Sequence, residues 1–233
     1  MYFNAAFKFF RHEPRTLQLH ARLIASADGV TAECRLIGTH TVPAQAEPQT
    51  TVHFTGRVRL SRLPLKPERA QAPVEMGEQR VGARDIYRVY FHGPAYRVLG
   101  SAWRHDGKTI GRLAANLPPQ HVPAARPTLA SPRLIELCFQ TAGLWDLGLN
   151  GRLSLPHHVD RVTIFEPGEP ADTPLLAVVR PDEVRTGFDA DVVDGTGRVF
   201  VRLRGYRTVE VPGGFDSAVL EPLRASMAPT VAV

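Results

Sequence analysis

Ser131-Pro132-Arg133-Leu134-Ile135-Glu136-Leu137-Cys138-Phe139-Gln140-Thr141-Ala142-Gly143 opens the best helix in the chain. Ser131 can cap a first turn, Pro132 suits the first helical position, and Leu134, Ile135, Cys138, Ala142 and Trp145 recur at helical spacing. Gly148 or Gly151 can end the helix. Its apolar stripe needs a sheet to pack against, and Glu136 and Gln140 lie one turn apart on a common side.

Outward from this helix the chain reads as strands. On its N-terminal side Pro118, Pro119, Pro123 and Pro127 exclude a regular element. Before them stand a strand around Ala102 ending at Asp106-Gly107, a second through Thr109–Ala115, and the apolar run Ile86–Tyr90. On the C-terminal side strand-like runs cover His158–Phe165, Leu175–Arg180, Thr186–Val193 and Val199–Val209, the last two joined by Asp194-Gly195-Thr196-Gly197. Residues 213–233 are expected to form a flexible tail.

The first 62 residues predict strands near Phe3–Phe9, Thr16–Ala25, Val30–Gly38 and Thr51–Leu60, with Asp28-Gly29 as a hairpin turn. Leu17, Leu19, Ala21 and Leu23 alternate with polar residues, so one face is apolar, and no amphipathic helix accompanies it. That face must be covered by the second half, another subunit or sequence outside this chain. Residues 63–82, with Pro64, Pro67 and Pro73, read as a linker, which leaves 83–212 as a second domain. One helix among many strands makes the fold class α+β and disfavours a doubly wound parallel sheet.

Composition excludes several classes of function. The 233 residues are 43% hydrophobic and 22% charged, enough for a core without disulfides or metal. A net charge of +5, scattered as single arginines, provides no nucleic-acid arm. Cys34 and Cys138 read as reduced core residues. No run of 18 apolar residues and no signal-peptide pattern occur, so a cytoplasmic protein without membrane contact is expected. His157-His158 is a poor chelating pair because neighbouring strand residues face opposite ways, and Gly195-Thr196-Gly197 lacks the lysine and helix of a phosphate loop.

Two segments could carry chemistry. Tyr90-Phe91-His92-Gly93-Pro94-Ala95-Tyr96 can bend at Gly93-Pro94 and aim side chains or N–H groups into a pocket; it can equally be an aromatic-packed turn. Glu136 is either a solvent-facing residue stabilised by the free N–H groups of the helix start or a carboxylate aimed into a cleft. Gln140 can orient that carboxylate, bind a substrate hydroxyl, or be an ordinary polar edge.

FHGPAYRVLG (Phe91–Gly100), SPRLIELCFQTAG (Ser131–Gly143) and GRVFVRLRGYRTVEVP (Gly197–Pro212) resemble, in order and separation, the dehydratase domain of polyketide and multidomain fatty-acid synthases, especially polyunsaturated-fatty-acid-like and other iterative ones. FKFFRHEPR (Phe7–Arg15) resembles the later part of that family's N-terminal half. The resemblance implies two fused hotdogs, here a complete C-terminal hotdog preceded by an incomplete N-terminal hotdog-like sheet. It places the catalytic acid at Glu136, where the family has aspartate. Gln140, Tyr96, Gly93, Pro94 and His92 fall in the substrate-binding region. The family's base is a histidine in H-x-x-x-G-x-x-x-x-P, which none of the nine histidines satisfies. No cofactor is implied beyond a substrate tethered through a carrier phosphopantetheine, and the implied partners are an acyl carrier protein, other synthase domains, and a homodimer mate or an N-terminal dehydratase half.

Three functions follow. One is dehydration of a carrier-bound 3-hydroxyacyl thioester with the histidine supplied from elsewhere. The second is a non-catalytic synthase scaffold or carrier-binding domain, with a product-shaping cyclase as a variant. The third is a single-hotdog thioesterase or hydratase whose site forms on pairing.

Overall fold

Strict apolar alternation builds the first of two units, Met1–Leu65 with His157–Val159, in a computed structural model that describes residues 1–7, 15–40, 47–71, 79–124, 126, 128–170, 173–182 and 186–228. Its strands are β1 (Tyr2–Phe3), β2 (Leu17–Ser26), β3 (Gly29–His40) and β4 (Gln49–Leu60). β2 and β3 pair antiparallel from Leu17↔Gly38 to Ser26↔Gly29, and β3 pairs with β4 from Val30↔Leu60 onward with a bulge after Leu36. Gly29 has φ +149°, and a Cβ there would lie 2.2 Å from the Leu60 carbonyl oxygen, so the turn requires glycine.

Residues directly opposed across these ladders share a face. Leu19, Leu36 and Phe54 therefore line up, as do Leu23, Ala32 and Val58. Leu19 and Leu23 remain 69% exposed and Val58 48%, so this apolar face has its outer part uncovered. The expected Phe3–Phe9 strand is only β1 within the described residues; positions 8–14, and with them most of Phe7–Arg15, lie outside them.

The second unit comprises Lys66–Pro156 and Asp160–Val233. It contains β5 (Val81–Gly82), α1 (Ala83–Ile86), β6 (Leu99–His105), β7 (Lys108–Leu113), α2 (Pro132–Asn150), then β8 (Ser154–His158), whose last two residues belong to the first unit. β9 (Arg161–Ile164), β10 (Leu176–Asp182), β11 (Gly187–Val193), β12 (Val199–Glu210) and α3 (Ser217–Met227) follow. The strand order is β5-β6-β7-β10-β11-β12, with β9 paired to β12, and every pairing is antiparallel. α2 crosses this sheet with Leu134, Leu137, Cys138, Ala142, Leu144 and Leu147 buried. A Cβ on Gly111 of β7 would lie 2.1 Å from Thr141 Oγ1, which is how closely strand and helix approach.

Several local expectations differ. The Ile86–Tyr90 run completes the helical turn of α1 and buries Ile86, Val89 and Tyr90. Ser131 stands at the start of α2 but makes no cap bond; its hydroxyl donates toward the Glu166 and Gly168 carbonyls and accepts the Gly168 N–H at 3.0 Å. The helix ends at Gly151, at φ +66°. His158–Phe165 divides into the end of β8 and β9, separated at Asp160, whose carboxylate pairs with Arg207. Within the supposed linker, Val199 N–H donates to Glu68 O at 2.9 Å and Ala70 N–H to Gly197 O at 2.8 Å, so Glu68–Ala70 is strapped beside β12.

The tail also differs. Asp216 caps α3 through Ala218 N–H at 2.8 Å, and Leu220, Leu223 and Met227 are buried. Gly148 of α2 makes room for Met227, whose Cβ would stand 2.4 Å from a Cβ on that glycine. Gly213-Gly214 and the internal Pro222 hide this helix from a reading by periodicity.

Cys34 and Cys138 are both free, the second buried. Among the described residues no helix is long and apolar enough to cross a membrane and no cluster of three metal-ligating side chains occurs.

Candidate active site

α2 brings Glu136 and Gln140 to one side, and a buried hydrogen-bonded chain fixes the second of them. Gln140 is 3% exposed. Its Nε2 donates to Glu136 Oε1 at 2.9 Å and to Tyr96 O at 2.8 Å, while its Oε1 accepts the Tyr87 hydroxyl at 2.8 Å. Tyr87 Oη in turn accepts the Leu99 N–H at 2.8 Å. The Tyr90 hydroxyl donates to Gln140 O at 2.8 Å, and Gly143 permits this because a Cβ there would lie 2.5 Å from that hydroxyl. Both amide protons of Gln140 and one acceptor position of its Oε1 are thereby used, one of the protons on the Glu136 carboxylate.

Glu136 is the fifth residue of α2, beyond the turn with free N–H groups, so it is held by side chains and not by the helix end. Its side chain is about a quarter exposed, and its Oε1 also stands 3.0 Å from His92 Nε2. Among the described residues nothing donates to its Oε2.

The turn segment is set by backbone bonds. Pro94–Tyr96 is a 3-10 turn, and Tyr96 N–H donates to Gly93 O at 2.9 Å. Gly93 has φ −67° and open space where a Cβ would stand, so the bend owes nothing to glycine's conformational freedom. The Tyr96 hydroxyl reaches Gln120 Oε1 at 3.4 Å. Arg133, buried at the start of α2, donates from Nε to Ala95 O at 2.9 Å and from a terminal nitrogen to Pro118 O, fastening the helix to the turn.

Burial pushes the Tyr87 phenol up, with Glu136 adding to the rise and the Leu99 N–H opposing it. Tyr90 is raised well above the usual phenol value, mainly by burial with the Tyr206 ring nearby, and Tyr96 is raised by burial against the opposing Arg133 charge. All three remain protonated at neutral pH, so Tyr87 and Tyr90 can act as donors to Gln140.

A family model, the polyketide synthase dehydratase N-terminal domain, matches residues 65–217. The chain belongs to this dehydratase family. Solved structures with the same fold include the dehydratase domain from the CurF module of curacin polyketide synthase, 17% identical over 90% of this chain and 74% of that one, with a TM-score of 0.68. A histidine-to-phenylalanine inactive mutant of CurJ dehydratase, in complex with a compound, is 17% identical over 84% and 69%, with a TM-score of 0.59. An aspartate-to-asparagine inactive mutant of CurK dehydratase is 16% identical over 88% and 79%, with a TM-score of 0.58. No curated protein matches. The α+β hotdog-type fold expected from the resemblance is the fold observed.

In this dehydratase-family chain the structure gathers Glu136, Gln140, His92 and the Gly93–Tyr96 backbone around the first half of α2. Tyr87 and Arg133 are not among the candidate residues that the sequence offers. The available signal was Tyr87-x-x-Tyr90 in an apolar run, a spacing that puts both rings on one side of a turn.

Proposed function

We propose that this chain performs the acid half of a dehydration of carrier-bound 3-hydroxyacyl thioesters, with Glu136 protonating the departing hydroxyl. A base removes the C2 proton, that electron pair forms the C2–C3 double bond, and the C3–O bond breaks as Glu136 gives its proton to the oxygen, releasing water. The carboxylate is then reprotonated from solvent or from the base. The histidine base is supplied by a dehydratase half outside this chain, and the substrate arrives on a phosphopantetheine arm. The observation that carries the reading is a glutamate with one oxygen braced by a buried glutamine and the other open. Inactivity of the CurJ and CurK proteins after loss of one histidine or one aspartate agrees with a paired base and acid.

The test is dehydration of a 3-hydroxyacyl pantetheine thioester, followed as appearance of the conjugated enoyl product. The isolated chain should be inactive, and a histidine-containing N-terminal half should restore turnover that Glu136→Gln lowers by about 100-fold or more. Turnover indifferent to Glu136→Gln would overturn the proposal. Carrier binding without turnover, with that half present, would instead assign the chain a scaffold or carrier-docking role.

A further inference from the structure

Oε1 and Oε2 of Glu136 are unequal, and His92 makes them more so. Nε2 of His92 lies 3.0 Å from Oε1, the oxygen that already accepts the Gln140 amide. The ring's other nitrogen, Nδ1, is sealed from solvent and has no hydrogen-bond partner among the described residues. A neutral imidazole carries one N–H, and placing it on Nδ1 would bury a donor with no acceptor; placing it on Nε2 puts it next to a carboxylate oxygen. The ring is also held in place. Phe91 stacks on it at 5.3 Å with planes 5° apart, Tyr90 meets it edge-on at 5.5 Å, and Arg97 Nε donates to the His92 carbonyl at 3.1 Å.

We propose that His92 is a positioning residue for Glu136, resting on the reading of Glu136 as the acid. Its Nε2–H and the Gln140 amide converge on Oε1, and Oε2 is the oxygen that exchanges a proton with the substrate. A glutamate has one more rotatable bond than the aspartate it replaces, and anchoring one oxygen from two directions removes that freedom. The same geometry disqualifies His92 as the base, because Nδ1 is sealed and Nε2 is committed to Oε1.

The tautomer is measured by NMR on protein with 15N-labelled histidine, in the unaltered chain and in Glu136→Gln. The expected result is a proton on Nε2 and a shifted Nε2 signal in the variant. A proton on Nδ1 with none on Nε2, or a signal indifferent to Glu136→Gln, overturns the pairing. In the reconstituted dehydration assay His92→Phe, which keeps an aromatic ring without a donor, should lower kcat about 100-fold with KM nearly unchanged. His92→Gln, which can restore an N–H donor, should recover to within about tenfold of the unaltered protein. Loss in His92→Gln as deep as in His92→Phe, or full activity in His92→Phe, overturns the positioning role. If the unaltered chain with its histidine-containing half never dehydrates the thioester, the dehydratase reading fails and the NMR result alone decides whether His92 and Glu136 are paired.

Discussion

Tyr87→Phe removes a single oxygen, and the structure sets what that oxygen supports. It accepts the Leu99 N–H and donates to Gln140 Oε1, both at 2.8 Å. Leu99 is 0% exposed and Gln140 3%, so neither abandoned group finds water without rearrangement. Each orphaned buried group costs about 1–3 kcal/mol, and the lower halves of the two ranges together give about 3 kcal/mol. At about 2–4 °C per kcal/mol for a chain of this size, the melting temperature should fall by roughly 6–12 °C. Urea denaturation gives the free energy, and amide hydrogen exchange at Leu99 should quicken. Tyr96→Phe is the control: its hydroxyl makes one long contact, 3.4 Å to Gln120, and its loss should cost less than about 1 kcal/mol. A Tyr87→Phe cost below about 1 kcal/mol, or unchanged exchange at Leu99, would refute the buried relay as a structural support of the site.

Asp191 is 3% exposed amid Arg202, Arg204 and Arg180, at 2.8, 3.1 and 3.1 Å. Burial pushes its carboxyl up, but the hydrogen bonds and charges of these arginines win and hold it below the usual carboxylate range. Its stabilisation is therefore present above the unfolded carboxylate value and disappears as pH falls through the lower folded one; Asp191→Ala should cost about 3 kcal/mol at neutral pH and flatten the acid limb of a stability–pH curve, and an unchanged limb would remove Asp191 from the account. The uncovered face bearing Leu19, Leu23 and Val58 should make the protein associate in a light-scattering concentration series. Leu19→Ser with Leu23→Ser should weaken that association by about 100-fold or more, whereas a persistent monomer in the unaltered protein would contradict it.

The helix Pro132–Asn150, the hairpins of the first unit and the strands of the second were legible in the sequence because their determinants lie within a few residues of one another. Leu17, Leu19, Ala21 and Leu23 alternate, so the two faces of β2 differ in polarity whatever they meet. Glu136 and Gln140 share a side of α2 for the same local reason, and their hydrogen bond is an i,i+4 contact. Other features are decided by residues far apart in the chain. Tyr87 meets Gln140 across 53 positions, Gln140 meets Tyr96 across 44, and His92 reaches Glu136 only because the turn after α1 is pinned to α2 through Arg133 and Tyr90. Helical order in 217–227 likewise depends on Leu220, Leu223 and Met227 finding α2, with Gly148 clearing the space. Local patterning chooses the elements and their buried faces; which polar group on one element meets which on another is a property of packing, and the inequality of the two Glu136 oxygens arises only there.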